Sequence, residues 1–383
     1  MRALLCYCVV LMSWSISRAD EVPLPPGITK ESAAAGWIAL YDGETTYGWK
    51  ATGDATIKNG ILTVGGEKET TLLTTTAFSS FELEMHYRVE GKSGGFDLKA
   101  GDTTVGKQVE SKVISNGEQE FKVAIPNATK TSPLSLITHP GSTLHIKSII
   151  LKPLGGKSIF NGKDLTGWKV IPGHKSKFSV TSNGEINVKD GNGDLQTEEQ
   201  WDDFVMQVDV ISNGDHLNSG IFFRALPGEF WSGYEAQVRN EWQSTVKLKD
   251  GKSHSGSLTP RGDMLELKVG RQTLKFKKDD VESVTDHRNK PIDFGSGGIY
   301  HFCPSRKVVS TDREYYSMTV VAHGNHFAVW VNGYMTAEHT DSRPFNQSAR
   351  RGRRDDKGVF SIQGHDPTTD LSFKNIRVAA LPK

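Results

Sequence analysis

Apolar and polar residues alternate in short runs along most of the chain, and turn residues separate the runs. The clearest run is Phe81 to Val89, where every second residue is apolar and the residues between are Glu, His or Arg. Alternation with a period of two is typical of a strand that buries one face. Similar runs recur at 204–211, 221–223, 318–321, 327–331 and 371–378. Because helical periodicity of any length is nearly absent, we predict an all-β protein built from sandwiches.

Two parts of the chain repeat the same series of segments. The sequence GWIALYDGETTYGWK at 36–50 parallels GKSIFNGKDLTGWKV at 156–170, and further matching pairs follow in the same order. Internal self-similarity is the signature of a duplicated structural unit. We therefore predict a first, degenerate sandwich at 30–154 and a second, complete one at 156–383.

The two copies differ in length and in chemistry. The first is roughly half as long and lacks counterparts of the GYEAQV and IQGHD segments of the second. We therefore expect the first copy to be a spacer, and a chain beginning near residue 156 to fold and keep all activity. Residues 245–284 predict a small β insertion within the second copy. The lysines of this insertion indicate a solvated surface, with binding of an anionic polymer as the alternative.

The N-terminus has the features of a secretory signal peptide. Arg2 precedes a largely apolar stretch, and small residues lead up to Ala19. We predict a signal peptide at 1–19, followed by a Pro-rich leader at 20–29, and therefore an exported protein. Removal of the signal would leave Cys303 as the single cysteine, without an intramolecular disulfide.

Composition argues against two classes of partner. The 46 Lys and Arg residues nearly balance the 45 Asp and Glu residues, and the formal net charge is +1. Proteins that bind nucleic acid usually carry a strongly basic face, so we expect no nucleic acid partner. After residue 20 no apolar run approaches the roughly 20 residues that a membrane-spanning helix requires, so we expect no transmembrane segment.

Several segments of the second copy combine an apolar face with a polar one, because residues two apart in a strand share a face. The residues that share the polar face of each segment are Asn218, Phe222 and Arg224; Glu235 and Gln237; and Ser361, Gln363 and His365. Tyr300 lies in the glycine-rich segment 295–302. Polar groups of this kind bind sugar hydroxyls, and aromatic rings stack on sugar faces. We therefore interpret this face as a carbohydrate site.

Each of these residues also has a purely structural interpretation. Arg224 and Glu235 could form a cross-strand ion pair on a solvated sheet. Gln237 and Gln363 could form an exposed ladder, and His365 could be a turn histidine. The mature chain contains no HExxH zinc motif, no CxxC pair, no phosphate-binding glycine loop and no ExDxxE glucanase signature.

Seven motifs follow one another between 158 and 381: IFNGKDLTGWKV, NSGIFFR, GYEAQV, GGIY, WVNG, IQGHD and FKNIRVAAL. Together they resemble the 3-keto-disaccharide hydrolase domain family, also described as 3-keto-glucoside lyase/hydratase. The resemblance extends weakly to the opening of the first copy. It implies a concanavalin A-like jelly-roll fold and a periplasmic or extracellular bacterial protein. The implied substrates are glycosides that are already oxidised at C3.

The reaction implied by the resemblance depends on the acidity of a carbon next to a ketone. Loss of the C2 proton gives an enolate, which expels the C1 substituent, and water then adds to the enone. Glu235 is the expected base, with His365 as the next candidate. Arg224, or a divalent cation held by His365 and Gln237, is expected to stabilise the enolate oxygen.

The substrate-binding roles follow from the polar strand faces. The expected substrate-binding residues are Asn218, Phe222, Gln237, Tyr300 and Gln363, and no organic cofactor is expected. The insertion lies immediately after the GYEAQV segment, so it bears on the range of substrates. The alternative function is a non-catalytic carbohydrate-binding module.

Overall fold

The structure, a computed structural model, describes residues 22–91, 95–108 and 118–383. The predicted signal peptide at 1–19 lies outside these described residues. Within them, we find no helix that is long and apolar enough to cross a membrane. Helix in this part of the chain is limited to α1 (Lys30–Ala34) and one 3-10 turn (Lys278–Asp280).

The first sandwich consists of two antiparallel sheets that enclose a hydrophobic core. Its strands are β1 (Ile38–Ala39), β2 (Trp49–Thr52), β3 (Ala55–Lys58), β4 (Ile61–Gly66), β5 (Thr70–Phe78), β6 (Phe81–Gly91), β7 (Phe96–Ala100), β8 (Thr103–Gln108), β9 (Gln119–Ile125), β10 (Ser132–Thr138) and β11 (Ser142–Pro153). One sheet has the order β3-β4-β11-β6-β9 with β1 beside β11, and the other has the order β2-β5-β10-β7-β8. In β6 the apolar residues from Phe81 to Tyr87 are buried and their neighbours are only half-buried, as the alternation predicts.

The second sandwich is interrupted by an inserted sheet. Before the insertion its strands are β12 (Lys157–Ser158), β13 (Trp168–Val170), β14 (Lys177–Val180), β15 (Ile186–Lys189), β16 (Gly193–Thr197), β17 (Phe204–Ser212), β18 (Ser219–Ala225) and β19 (Tyr234–Val238). The insertion contains β20 (Gln243–Leu248), β21 (Ser253–Arg261), β22 (Met264–Val269), β23 (Gln272–Lys277) and β24 (Val281–Asp286). The sandwich then continues with β25 (Tyr316–His323), β26 (His326–Val331), β27 (Tyr334–Thr340), β28 (Val359–Gly364) and β29 (Asp370–Ala380).

The two sandwiches have the same strand order. The sheet β13-β16-β28-β18-β19 corresponds strand for strand to β2-β5-β10-β7-β8 of the first sandwich. The sheet β14-β15-β29-β17-β25, with β12 beside β29, corresponds to the other sheet of the first sandwich. The predicted fold class, tandem jelly-roll sandwiches in an all-β protein, is therefore confirmed.

The insertion is a five-stranded antiparallel sheet with the order β23-β22-β21-β20-β24. Val246, Leu265, Leu267 and Val281 form its own small hydrophobic cluster. Its strand order is open, with β23 and β24 at the edges, so among the described residues the insertion is an open sheet with one apolar face.

The two sandwiches share a hydrophobic cluster. The strands β26 and β27, which have no counterparts in the first sandwich, contribute Ala328, Trp330 and Met335 to the core that contains Phe78. Trp330 is 1% exposed, and its indole N–H donates a hydrogen bond to the carbonyl of Ala39 over 3.0 Å. The contact is therefore dry and specific.

Polar contacts surround this shared cluster. The guanidinium of Arg306 donates a hydrogen bond to the Asp42 carboxylate over 2.8 Å, and the backbone N–H of Glu338 donates to the Tyr47 hydroxyl over 2.9 Å. These contacts argue against an independent spacer, and the behaviour of a chain beginning near residue 156 stays a prediction. A chain beginning near residue 156 would leave the apolar face around Trp330 in water.

We predict that Trp330→Ala lowers the free energy of unfolding by about 3–5 kcal/mol, because it leaves a large cavity between the sandwiches and removes an indole hydrogen bond. Urea denaturation followed by circular dichroism would measure the loss. The control is Phe345→Ala, since Phe345 is 49% exposed and its removal should cost far less. Equal stability of the Trp330 variant and the wild type would contradict a shared core.

Candidate active site

The sheet β13-β16-β28-β18-β19 carries two rows of side chains on the face that points away from the core. One row contains Gln196, Ser361, Phe222 and Glu235, and the other contains Asp194, Gln363, Gly220 and Gln237. All eight residues are buried. The predicted polar face therefore exists, but loops cover it, and it is not a solvated sheet surface.

Glu235 occupies a position that only a glycine neighbour permits. A Cβ atom at Gly220 would lie 2.3 Å from Oε1 of Glu235, so the carboxyl group packs over the glycine backbone. Glu235 is 5% exposed, and its Oε2 has no hydrogen-bond partner among the described residues. Burial raises the pKa of Glu235 to about 8, because water no longer solvates the charged form.

Asp194 is a second buried carboxyl group on the same face. Its Oδ2 accepts a hydrogen bond from the backbone N–H of Trp231 over 2.7 Å, and its Oδ1 has no partner within the described ranges. Burial raises the pKa of Asp194 to about 6, and its charge in turn helps to raise the pKa of Glu235. The two carboxyls therefore retain about one proton between them near neutral pH.

Arg350 is the cation that opposes this negative charge. Its guanidinium lies over the Trp231 ring, 3.4 Å from the ring centroid, and its Nε–H donates to the carbonyl of Trp231 over 2.8 Å. The charge of Arg350 lowers the pKa values of both Glu235 and Asp194, although burial outweighs it. Arg350 thus supplies a fixed positive charge beside two carboxyls.

Glu235 and Arg350 line a cavity of about 340 Å³. Tyr300 lies in the same cavity, and its backbone N–H donates to the carbonyl of Glu235 over 3.0 Å. Trp231, which stacks on Arg350, is 40% exposed, and Phe294, whose ring lies 5.7 Å from that of Tyr300, is 46% exposed. The size is that of a small-ligand site, and the exposed rings suit stacking on a sugar.

Arg224 does not belong to this cavity, which corrects the prediction from the sequence. A β-bulge interrupts the pairing of β18 with β28, and Arg224 has a φ of 50°, so its side chain leaves the alternation of the strand. The guanidinium is fully buried and donates to the Asp203 carboxylate and to the carbonyls of Asp202, Gly324 and Arg354. Its role is structural, and it cannot stabilise an enolate in the Glu235 cavity.

Other predicted residues lie on the polar face without reaching a ligand cavity. Phe222 is fully buried, so it is not available for stacking on a sugar. The Gln237 amide donates to Oδ1 of Asn218 over 2.7 Å and to the carbonyl of Ser219 over 3.1 Å. Gln363 is buried beside Asp194, and its Oε1 has no partner in the described part of the chain.

His365 lies in a turn next to a different cavity, together with Asn218. Its Nδ1 is 2.9 Å from the Asp366 carboxylate, which matches the structural alternative considered for it. The expected cation ligands are His365 and Gln237, and the amide nitrogen of Gln237 donates to Asn218. Across the described ranges, no group of three or more His, Cys, Asp or Glu residues could hold a metal ion. The cation therefore stays a prediction from the sequence, and we derive no step through one.

Sequence reasoning missed Asp194, Arg350 and Trp231. Asp194 ends a run of Gly, Asn and Asp that resembles a turn in the sequence, although the structure places it within β16. Arg350 stands in the basic run SARRGRR, which resembles a solvated surface. The ladder pairing of Asp194 with Gln363 brings it onto the polar face, but this pairing is visible only in the structure. No local pattern points to the loop that carries Arg350 back to the cavity.

The fold is a jelly roll, and the family that its sequence matches places it in the carbohydrate-processing or carbohydrate-binding class. The sequence model of one family, described as the 3-keto-alpha-glucoside-1,2-lyase-like domain, matches residues 36–140 and 155–379. The chain belongs to this family, and both sandwiches match it. Among curated proteins none matches the chain.

Solved structures with similarity to the chain include two putative glycosyl hydrolases from Parabacteroides distasonis. The first is 20% identical, covers 59% of this chain and 94% of its own, and has a TM-score of 0.40. The second is 16% identical, covers 60% of this chain and 100% of its own, and has a TM-score of 0.38. The carbohydrate-binding module CBM66 from Bacillus subtilis is 15% identical, covers 58% of this chain and 99% of its own, and has a TM-score of 0.34.

We predict that Arg224→Ala destabilises the protein by about 3–5 kcal/mol, because it leaves the buried Asp203 charge without its partner. Urea denaturation would measure the change. Arg350→Ala is the matched control, since it removes a half-buried arginine from the cavity wall and should cost about 1 kcal/mol or less. An Arg224 variant as stable as the wild type would show that the buried network has no structural role.

We predict that Glu235→Gln becomes more stable relative to the wild type as pH rises from 5 to 8. The folded protein binds the Glu235 proton more tightly than the unfolded chain does, so the contribution of Glu235 to wild-type stability falls between about pH 4.5 and about pH 8. The glutamine variant lacks this decline, and the difference should reach on the order of 3 kcal/mol. Denaturation curves at four pH values would test it, with exposed Glu199→Gln as the control. A pH-independent difference would mean that Glu235 titrates normally.

Proposed function

We propose that the chain cleaves glycosides that carry a ketone at C3, by removing the C2 proton and expelling the C1 substituent. The observation that carries the proposal is the Glu235 carboxyl. It is buried, one of its oxygens has no partner among the described residues, and it lines a cavity beside Arg350 and Tyr300. Family membership supplies the substrate class.

Glu235 is the proposed general base. A carboxylate whose conjugate acid has a pKa of about 8 is a stronger base than an ordinary glutamate, and it suits a proton that a neighbouring ketone acidifies. Asp194 contributes by keeping a negative charge nearby, which makes Glu235 more basic. In this role Asp194 acts on Glu235 and does not touch the substrate.

Arg350 is the proposed electrophile, in place of Arg224. When Glu235 takes the C2 proton, the electrons of the C2–H bond move toward the ketone oxygen, which becomes an enolate. A guanidinium held by Trp231 is a preorganised donor for this developing charge. The enolate then reforms the ketone and breaks the C1–O bond, and the departing oxygen takes the proton from Glu235.

The same groups can complete the hydrolysis. The elimination leaves an enone and a free hydroxyl compound. Glu235, ionised again, takes a proton from a water molecule that adds at C1, and C2 receives that proton. The net result is addition of water across the glycosidic bond, with no oxocarbenium-like transition state.

We also propose export from the cytoplasm, on the basis of the sequence pattern at 1–19.

The second candidate function is a carbohydrate-binding module without catalysis. The observation that favours it is the pair of exposed rings, Trp231 and Phe294, because aromatic platforms of this kind bind sugars by stacking alone. The two functions differ in whether a 3-keto-glucoside is consumed.

We predict that Glu235→Gln lowers kcat on a 3-keto-glucoside by about 10²–10⁴-fold, because it removes the base but keeps the shape of the side chain. KM should change little. In the wild type, kcat/KM should rise with pH toward a plateau above about pH 8, since only ionised Glu235 accepts the proton. Release of the free sugar or aglycone would be followed at a series of pH values.

Glu229→Gln is the matched control, since Glu229 is exposed and does not line the cavity. It should retain wild-type turnover. Turnover by Glu235→Gln within a few-fold of the wild type would remove Glu235 from the mechanism. Binding of the substrate without any turnover by the wild type would favour the carbohydrate-binding module.

A further inference from the structure

A second cavity, of about 330 Å³, lies where the insertion meets the second sandwich. The sandwich contributes the loop before β18, the residues after β19 and the turn after β28. The insertion contributes side chains of β21, β22 and β23. None of these residues has a role in the reaction proposed above.

The strand β19 connects the two cavities. Glu235 and Gln237 share one face of it, and Arg239 is the first residue after its end. Glu235 lines the first cavity and Arg239 lines the second, and four residues of extended chain separate them by roughly 13 Å. Gln237 lies between them and donates a hydrogen bond to Asn218, which also lines the second cavity.

The insertion presents its polar face to this cavity. On β21 and β22, Leu258, Leu265 and Leu267 pack into the insertion's own core. The alternate residues, which include Ser257 and Thr259, line the cavity. The insertion therefore acts as an amphipathic wall, with its apolar face turned to its own core and its hydroxyl groups turned to the cavity.

This wall is fixed against the sandwich. The two ring nitrogens of His216 contact the carbonyls of Asn240 and Leu258, over 2.7 and 3.2 Å, and so bridge the sandwich and the insertion. Arg261 of the insertion also pairs with Asp215 of the sandwich over 2.8 Å. The cavity is therefore preorganised and does not depend on closure of the insertion.

The charges around the cavity are largely paired with one another. Arg239 pairs with Glu241, Arg261 with Asp215, and the Nδ1 of His365 lies 2.9 Å from the Asp366 carboxylate. A charged ligand would have to break such pairs, whereas a neutral polyol can exchange hydrogen bonds with them. Arg239 also has a buried Nε–H without a hydrogen-bond partner in the described part of the chain.

We propose that this cavity binds a further sugar unit of a neutral oligosaccharide whose oxidised unit occupies the Glu235 cavity. The inference rests on the proposed carbohydrate site and assigns the insertion a role in selecting longer substrates. Arg239 and Thr259 are the residues that distinguish an oligosaccharide from a disaccharide.

Calorimetric binding to the full chain carrying Glu235→Gln tests the proposal without turnover. The probes are unoxidised maltose, maltotetraose, cellobiose and cellotetraose. In one of the two linkage series the tetrasaccharide should bind at least tenfold more tightly than the disaccharide. Arg239→Met and Thr259→Val should each reduce this gain to threefold or less, and Lys247→Met, an exposed change elsewhere on the insertion, should retain it.

The wall variant Thr259→Val keeps the test decisive if Arg239→Met fails to fold. Equal affinity for disaccharides and tetrasaccharides in both series overturns the inference. If that result accompanies turnover of a 3-keto-disaccharide by the wild type, the proposed function stands without the second subsite. If binding depends on length but no 3-keto-glycoside is consumed, the subsite stands and the proposed function fails.

Discussion

The buried guanidinium of Arg224 holds together the segments that enclose the site. It binds the start of β17 through Asp202 and Asp203, the β25–β26 turn through Gly324, and the 341–357 loop through Arg354. Arg354 returns the contact by donating to the carbonyl of Arg224 over 3.0 Å. Because a buried charge must have partners, this network leaves the loop little freedom, and the loop carries Arg350 to the cavity.

The chemistry at Glu235 follows from that positioning. The loop that Arg224 secures brings one cation to two buried carboxyls, and the covering segments exclude water from them. Burial disfavours both negative charges, and a single arginine does not compensate for it fully. The result is a Glu235 carboxyl that keeps its proton near neutral pH and that, once ionised at higher pH, readily accepts a proton from another group. The protein maintains this arrangement at a cost in stability, as functional sites commonly do.

The fold could be predicted from the sequence for two reasons. The alternation of apolar and polar residues marks each strand locally, and the repeated series of segments marks the two sandwiches over long stretches of the chain. The face that carries Glu235, Gln237 and Gln363 followed from the same rule. The prediction that Arg224 lines the site was wrong because a bulge and the positive φ of Arg224 shift the alternation of the strand, and no feature of the composition marks a bulge. Arg350 could not be predicted, since its place depends on a loop held by distant contacts. His365 is a turn histidine beside Asp366, which is the structural interpretation already considered from the sequence.

The shared core also governs how the two copies can change over time. When one copy of a duplicated domain performs the chemistry, the other copy can ordinarily lose its functional residues. In the first sandwich Lys107 occupies the strand position that corresponds to Glu235, so no carboxylate is present there. Yet Phe78 packs against Trp330, and the Ala39 carbonyl accepts its indole hydrogen bond. The first sandwich is therefore limited by its packing against the second sandwich and not by a carboxylate of its own at this position. A change of size at one of its buried contact positions would have to be accommodated by β26 or β27, so the two sandwiches form one structural unit although only the second carries the carboxyl pair.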